Sequence, residues 1–287
     1  MIGLGNMGAA IAQRLLSAGY DLLVHNRSPE KAEHLVSEGA TAAETPGDLA
    51  AAVDVVLTSL PDDDAFESVA ASVARAARPG TAFADLSTVS PHASERVASL
   101  LERASLLYLR APVSGNPSVV RAGKLAFIVS GPPEALERAE PVLRAIGPTV
   151  HNVGGGEQAR IVKLAINLVI AGLAQLMAEA LVLGESSGVT RSALLETMAD
   201  SAAGAPFVEY KAEPLLRDDY TATFTTSLMA KDLDLVLEAA EAVGVRLPIA
   251  GELRELVRST IEAGYGDDDF MALFPHLRDT SNQKLVR

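Results

Sequence analysis

The chain has 287 residues, which suggests about two domains and is ample for a buried core. Its 24 Lys and Arg against 37 Asp and Glu leave a net charge of −13, which argues against nucleic acid or an anionic membrane as partner, because both select clustered cations. There are no cysteines, so disulfides and thiolate metal sites are excluded; with no basic segment leading into an apolar one near the start, a cytoplasmic protein is expected.

Met1 and Ile2 are followed by Gly3-Leu4-Gly5-Asn6-Met7-Gly8 and then by apolar residues in helical period, Ala9, Ile11, Ala12, Leu15 and Leu16. This Gly-x-Gly-x-x-Gly pattern fits a strand-to-helix turn that receives a dinucleotide. Gly3 would permit the tight turn, Gly5 the close approach of backbone to pyrophosphate, and Gly8 close packing of helix on sheet. Asn6 and Met7 complete the cradle, where free N–H groups and the helix dipole favour phosphate. The lead-in strand is almost missing, against ~5–6 residues in an ordinary strand. Either the start is truncated or the first strand is very short.

Tyr20 to His25 reads as the next strand and ends in Asn26-Arg27-Ser28-Pro29. An acidic residue here would hold the ribose hydroxyls of NAD. With Asn26, the Arg27 fork and the Ser28 hydroxyl in its place, a 2′-phosphate is the alternative. The plain reading is a surface arginine before a helix capped by Ser28 with Pro29 at its first position. The glycine loop upstream tips the balance toward NADP over NAD.

Alternation continues with a helix over 31–38, a short strand over 39–43, a helix over 46–52 and a buried strand over 54–60 that ends at Leu60-Pro61. The run Asp62-Asp63-Asp64 reads as a solvated helix start. A helix over 66–77, a strand over 81–86 opening into Ser87-Thr88, a helix over 92–103 and a strand over 106–110 follow. Residues 111–117 read as a loop, 124–130 as a strand, 133–145 as a helix and 149–153 as the last strand. Strands alternating with helices mean parallel βαβ units. The expected fold is α/β, a Rossmann-type doubly wound parallel sheet over residues 1–153. Leu60, Pro61 and Thr88, at strand ends, join the cofactor-binding set, since ligands of such sheets bind at the carboxyl edge.

From Gly156 onward the pattern is only helical, over 156–187, 190–200, 207–216, about 225–243, 247–264 and 267–277. Residues 154–287 therefore form an all-helical second domain. Asp267-Asp268-Asp269 reads as another solvated helix start. The five histidines have no paired ligand spacing and no metal site is expected.

Ile161 to Gly184 is apolar and long enough to span a membrane, but Lys163, Asn167, Gln175 and Glu179 interrupt it. These lie at steps of four, with Ala171 between, and a step of four drifts only ~40° around a helix. They form one slanting polar ridge on an otherwise apolar cylinder. Such a helix is buried in protein, and covering it requires a partner subunit. Lys163 either snorkels to solvent or works as a proton donor near the sheet edge.

Taken together, these residues resemble the β-hydroxyacid dehydrogenase family, the group of 3-hydroxyisobutyrate dehydrogenase and glyoxylate/succinic semialdehyde reductase. The matching pieces run in order along the chain. They are the glycine loop, Asn26-Arg27-Ser28, Asp85-Leu86-Ser87-Thr88-Val89-Ser90-Pro91, Ala111-Pro112-Val113-Ser114-Gly115, Lys163 with Asn167, and Lys231-Asp232-Leu233. The resemblance implies that Ser114 and the Gly115 N–H bind a substrate carboxylate; Asn116, next in the chain, is a further candidate for that group. It implies that Lys163 is the catalytic acid/base, that Asn167 holds the substrate, and that Lys231 approaches cofactor and substrate. It also implies a homodimer or homotetramer. Three departures stand out: Arg110 where an acidic residue is usual, Asn116 where a second glycine is usual, and Ile166 before Asn167.

The expected activity is hydride transfer between NADP and a small β-hydroxyacid or semialdehyde acid. A lysine base needs a pKa drawn down from ~10.4, which desolvation and a positive nicotinamide would supply. An imine or ketone reductase of the same architecture, and a non-catalytic NADP-binding module, are the alternatives.

Overall fold

The computed structural model describes residues 1–285. It divides into two compact units, Met1–Lys163 and Leu164–Arg287.

The first unit is the sheet. Helix α1 (Asn6–Ser17) is followed by β1 (Leu23–Val24), a 3₁₀ turn (Pro29–Ala32), α2 (Glu33–Ser37), β2 (Thr41–Ala42), α3 (Pro46–Ala52), β3 (Val55–Thr58), α4 (Asp63–Ala76), β4 (Ala82–Asp85), α5 (Pro91–Arg103) and β5 (Leu107–Arg110). Then come β6 (Val113–Ser114), α6 (Pro117–Arg121), β7 (Ala126–Ser130), α7 (Pro133–Ile146) and β8 (Thr149–Gly154). The helix starts follow their capping residues. Asp62 accepts from the Ala65 N–H at α4, and Ser90 from the Ala93 N–H at α5.

Strands β3, β4 and β5 are parallel neighbours, and β1 pairs in parallel with β2. Ile2 bridges His25 on one side and Thr58 on the other, both in parallel. The short lead-in is therefore a single bridging residue that joins β1 to β3. Its N–H donates to Leu57 O and its carbonyl accepts from Ser59 N. Two features differ from the expected sheet. Strand β7 runs antiparallel to both β5 and β6, and only β8 is parallel to it. The expected loop at 111–117 contains β6 and leads directly into the short helix α6. Alternation cannot report direction, because a strand buried on both faces reads the same either way.

Successive strand residues enter opposite cores. Val56, Phe83 and Tyr108 pack with Phe66 and Val97 of α4 and α5, whereas Leu57, Ala84 and Leu109 pack with Ile11 of α1 and Leu143 of α7. This two-sided cover gives β4 its wholly buried run.

The second unit is helical: the continuation of α8 (Gln158–Ser186), then α9 (Arg191–Ala199), α10 (Pro206–Leu216), α11 (Thr226–Ala242), α12 (Pro248–Thr260) and α13 (Leu273–Leu285). Ala171, Ala174, Met177, Ala178 and Leu181 of α8 lie in its core with Phe207, Met229, Leu233 and Phe274. The apolar stretch is thus a core helix. Its polar ridge turns inward at Asn167 and Gln175, while Val169, Leu176 and Leu183, seven residues apart, are exposed.

The reading of Asp269 as part of a solvated helix start is corrected. Its side chain is buried and accepts from Lys211 Nζ at 2.7 and 2.8 Å, from the Thr223 N–H and hydroxyl, and from the Met271 N–H. Burial draws the Lys211 amine below its ordinary value, while Asp269 opposes that shift. Acidic runs are usually solvated, and only the fold brings a lysine from 58 residues away to this one. Lys211→Met leaves a buried carboxylate without its cation. It is expected to cost about 3–5 kcal/mol, read as a lowered midpoint in urea unfolding, with Lys211→Met/Asp269→Asn, which removes the charge and keeps an acceptor for the Thr223 and Met271 amides, recovering part of the loss.

Candidate active site

The glycine loop makes the first part of the site. Gly3 has φ +87°, and a Cβ there would lie 2.2 Å from the Ser59 carbonyl oxygen; one on Gly8 would lie 1.9 Å from that of Gly3. Both positions are closed by the protein itself. Gly5 differs, because nothing lies within 4 Å of its Cβ position. It is also the N-cap of α1, and no side chain caps the helix. The first-turn amides of Asn6, Met7 and Gly8 therefore present an uncapped helix start, the arrangement that takes phosphate. Gly8→Ala is expected to lower the melting temperature. Gly5→Ala should leave it unchanged and weaken dinucleotide binding at least about tenfold in calorimetric titration, because only a ligand fills that space.

The loop is braced from β1. Asn26 Oδ1 accepts from the Leu4 N–H at 2.9 Å, and its Nδ2 donates to Ser28 O at 3.1 Å. Asn26 thus holds the turn with both ends of its amide. Arg27 is exposed, and the Ser28 hydroxyl makes no capping bond although Pro29 stands at the first position. Ser28 thus stands at the N-cap position with Pro29 first, as the plain reading has it, but its side chain does not take part in the cap. At the neighbouring strand ends the Leu60 N–H donates to Ser87 Oγ at 2.8 Å, which links the Leu60-Pro61 turn to the Ser87-Thr88 turn.

Ser114 lies on β6 opposite Ala126. Gly115 has φ +139°, and a Cβ there would press on Leu125 and Val119 at 3.0 and 3.1 Å. Asn116 caps α6: its Oδ1 accepts from the Ser118 N–H, the Ser118 hydroxyl and the Val119 N–H. The departure from glycine at 116 is therefore spent on starting a helix.

Lys163 is half-buried on α8, three residues beyond Arg160. Arg160 was not among the expected site residues, and it organises this end of the unit. It is 1% exposed. Its guanidinium donates to Asp85 Oδ2 at 2.5 Å, to Ser87 O at 2.7 Å and to the Tyr108 hydroxyl at 2.9 Å, and it lies 5.7 Å from the centre of the Phe66 ring. Asp85 Oδ1 accepts from the Thr58 hydroxyl and from the N–H and hydroxyl of Ser87. Burial opposes the Arg160 charge, but Tyr108 and Asp85 hold it above its ordinary value. Burial likewise pushes the Tyr108 phenol up. The sequence carried one signal for this pair: an aspartate closing an otherwise apolar strand, and an arginine opening an apolar helix.

The second unit holds a polar cluster of its own. Asn167 Nδ2 donates to Asp232 Oδ2, and Lys231 Nζ lies 3.3 Å from Asp232 Oδ1. Asp232 is 1% exposed. The Lys231-Asp232-Leu233 motif had suggested only the lysine, yet it is the carboxylate that orients Asn167.

Residues 1–155 match the NAD-binding domain of 6-phosphogluconate dehydrogenase, and residues 157–277 match the NAD-binding region of NADP-dependent 3-hydroxyisobutyrate dehydrogenase. The chain belongs to the β-hydroxyacid dehydrogenase family. It is a nicotinamide-dependent oxidoreductase that works by hydride transfer. The NAD-dependent L-serine dehydrogenase of Pseudomonas aeruginosa is 35% identical over 94% of this chain and 94% of that protein. The solved 3-hydroxyisobutyrate dehydrogenase of Mycobacterium tuberculosis, with L-serine, has a TM-score of 0.88 at 31% identity, covering 96% of this chain and 97% of its own. The Salmonella typhimurium 3-hydroxyisobutyrate dehydrogenase has a TM-score of 0.88 at 28% identity, with coverage of 96% and 97%.

Proposed function

We propose that this dehydrogenase interconverts a small β-hydroxyacid and its semialdehyde acid with NADP in preference to NAD, with Lys163 as the proton donor and acceptor. The observation that carries the reading is the placement of Lys163. It stands one turn along α8 from Arg160, whose guanidinium is bonded to the Asp85 carboxylate and the Ser87 carbonyl at the carboxyl edge of the sheet. Ligands of open α/β sheets bind at that edge.

The open space at Gly5 and the uncapped start of α1 fit a dinucleotide pyrophosphate. Gly5 and the first-turn amides of Asn6, Met7 and Gly8 would hold it, with Gly3 shaping the turn and Leu60, Pro61 and Thr88 beside it. When bound, the nicotinamide supplies or accepts the hydride. Lys163 gives a proton to the carbonyl oxygen in reduction and takes it from the hydroxyl in oxidation. Ser114, the Gly115 N–H and the amide group of Asn116 hold the carboxylate. Within the helical unit, the family resemblance assigns substrate contacts to Asn167, which Asp232 orients, and to Lys231. Exposed Arg27, with a Ser28 hydroxyl free of capping duty, supports NADP; the NAD dependence of the Pseudomonas relative weighs on the other side.

Residues 154–287 form the substrate and dimerisation domain in this reading. The exposed Val169, Leu176 and Leu183 stripe supports a homodimer or homotetramer built on α8. The lack of cysteine fits the cytoplasm, the compartment we assign.

The test is an NADPH-oxidation panel of glyoxylate, succinic, tartronate and methylmalonate semialdehydes and a cyclic imine. Turnover of the acids is expected; activity on the imine alone would replace this reading by an imine reductase. Lys163→Ala should lower kcat by about 10²-fold or more with cofactor binding retained. Arg27→Ala should raise the NADPH KM at least about tenfold and leave the NADH KM unchanged. Equal use of both cofactors by the unaltered protein would remove the 2′-phosphate role of Arg27.

A further inference from the structure

Two ion pairs of opposite polarity, one buried and one partly buried, fasten the start of α8 to the sheet. Arg160 on the helix meets Asp85 at the end of β4. Glu157, just before the helix, meets Arg110 at the end of β5. Asp85 and Arg110 are direct register partners on parallel strands. Their side chains therefore stand side by side on one face. Glu157 and Arg160 are three residues apart, and the Glu157 carbonyl accepts from the Arg160 N–H, so they share the first turn. The four groups make a square of alternating charge, acid and base side by side on the sheet and again on the helix. Arg110 Nε donates to Glu157 Oε1 at 2.7 Å, and its guanidinium lies 4.3 Å from the centre of the Tyr108 ring. The Ser130 hydroxyl adds a neutral tie, donating to Gly156 O and accepting from the Ala159 N–H.

Stability alone does not explain this arrangement. Buried ion pairs are commonly matched or exceeded by apolar residues of similar volume. Here one oxygen, Glu157 Oε2, is buried with no hydrogen-bond partner, which costs free energy. What the square supplies is uniqueness. Sliding the helix start one way past the two strand ends brings Arg160 toward Arg110, and sliding it the other way brings Glu157 toward Asp85; either shift sets like against like and leaves the other charge unpaired. A set of apolar contacts would tolerate such a shift.

We infer that Arg160 and Glu157 are positioning residues, which together with Asp85 and Arg110 set the rotation and axial register of α8 and thereby place Lys163. This rests on the reading of Lys163 as the proton-transfer group. Three residues of helix separate Arg160 from Lys163, a rise of ~4.5 Å, so an error at the square passes directly to the amine. Arg110, which stands where the family usually has an acidic residue, finds its counter-charge on the helix side, at Glu157.

The experiment uses the full-length protein and the variants Glu157→Gln, Glu157→Ala and Arg160→Lys, with Lys163→Ala alongside. Arg160→Lys keeps the charge but loses the planar fork. Glu157→Gln, at the more exposed corner, keeps the shape and removes the charge, and serves where Arg160→Lys fails to fold. Four quantities are read: folded fraction, the NADPH dissociation constant, kcat against pH, and hydrogen exchange of the α8 amides from 160 to 166. The expected result is a fall in kcat of about 10- to 10²-fold per folded molecule. A displaced Lys163 limb of the pH profile and faster exchange in the first turns of α8 should accompany it. Glu157→Gln should fall between wild type and Glu157→Ala, and its NADPH affinity should stay within about threefold. Unchanged kcat per folded molecule with an unmoved pH limb overturns the inference, as does unchanged exchange at the helix start. Full turnover by Lys163→Ala overturns instead the assignment of Lys163, and the exchange data then still decide whether the square sets the helix register.

Discussion

A guanidinium with almost no access to water sits at the carboxyl end of β4, and the first unit depends on it being satisfied. Arg160 cannot lose its proton, so its charge must be answered where it lies. Asp85, Ser87 O and the Tyr108 hydroxyl answer it. Asp85 is held in turn by Thr58 and Ser87, and Ser87 holds the Leu60 amide. One buried charge thereby links the ends of β3, β4 and β5 to the start of the long helix. These strand ends are where a dinucleotide-binding sheet does its work, so the constraint that holds the fold also shapes the site.

The second unit uses the same device twice. Lys211 and Asp269 lock α10 to the segment before α13, and Asp232 holds Asn167 on the inward face of α8. In each case a buried carboxylate is matched by donors from distant parts of the chain. The apolar face of α8 that carries Val169, Leu176 and Leu183 has the opposite character: apolar side chains remain on the outside. Apolar side chains left exposed on a helix whose opposite face already fills a core are poorly explained by one chain alone, which is why an assembly on that face is part of the proposed function.

The glycine loop shows how local chemistry becomes legible. Gly3 and Gly8 are required by neighbouring backbone, at Ser59 and at Gly3 itself, whereas Gly5 faces open space. The motif placed all three in one turn, but only the structure separates the two hemmed in by backbone from the one that faces open space. Asn26 carried a similar ambiguity. Its amide is used within the turn, so the cofactor argument moves to Arg27 and Ser28. At Asn116 the residue type signalled a turn, and the helix it caps was missed because five residues are too few to show a period.

What the sequence determined by itself was whatever depends on neighbours along the chain: the strand–helix alternation, the glycine turn, the long apolar helix with Lys163 and Asn167 one turn apart, and the order of motifs that identifies the family. Periodicity and spacing carry these because they are local. The direction of β7, the single bridging residue Ile2, the burial of Asp269 and the charge square of Asp85, Arg110, Glu157 and Arg160 were decided only in three dimensions. Each depends on which residues tens of positions apart meet in a dry interior, where a buried charge must find its partner and where no local pattern records the meeting.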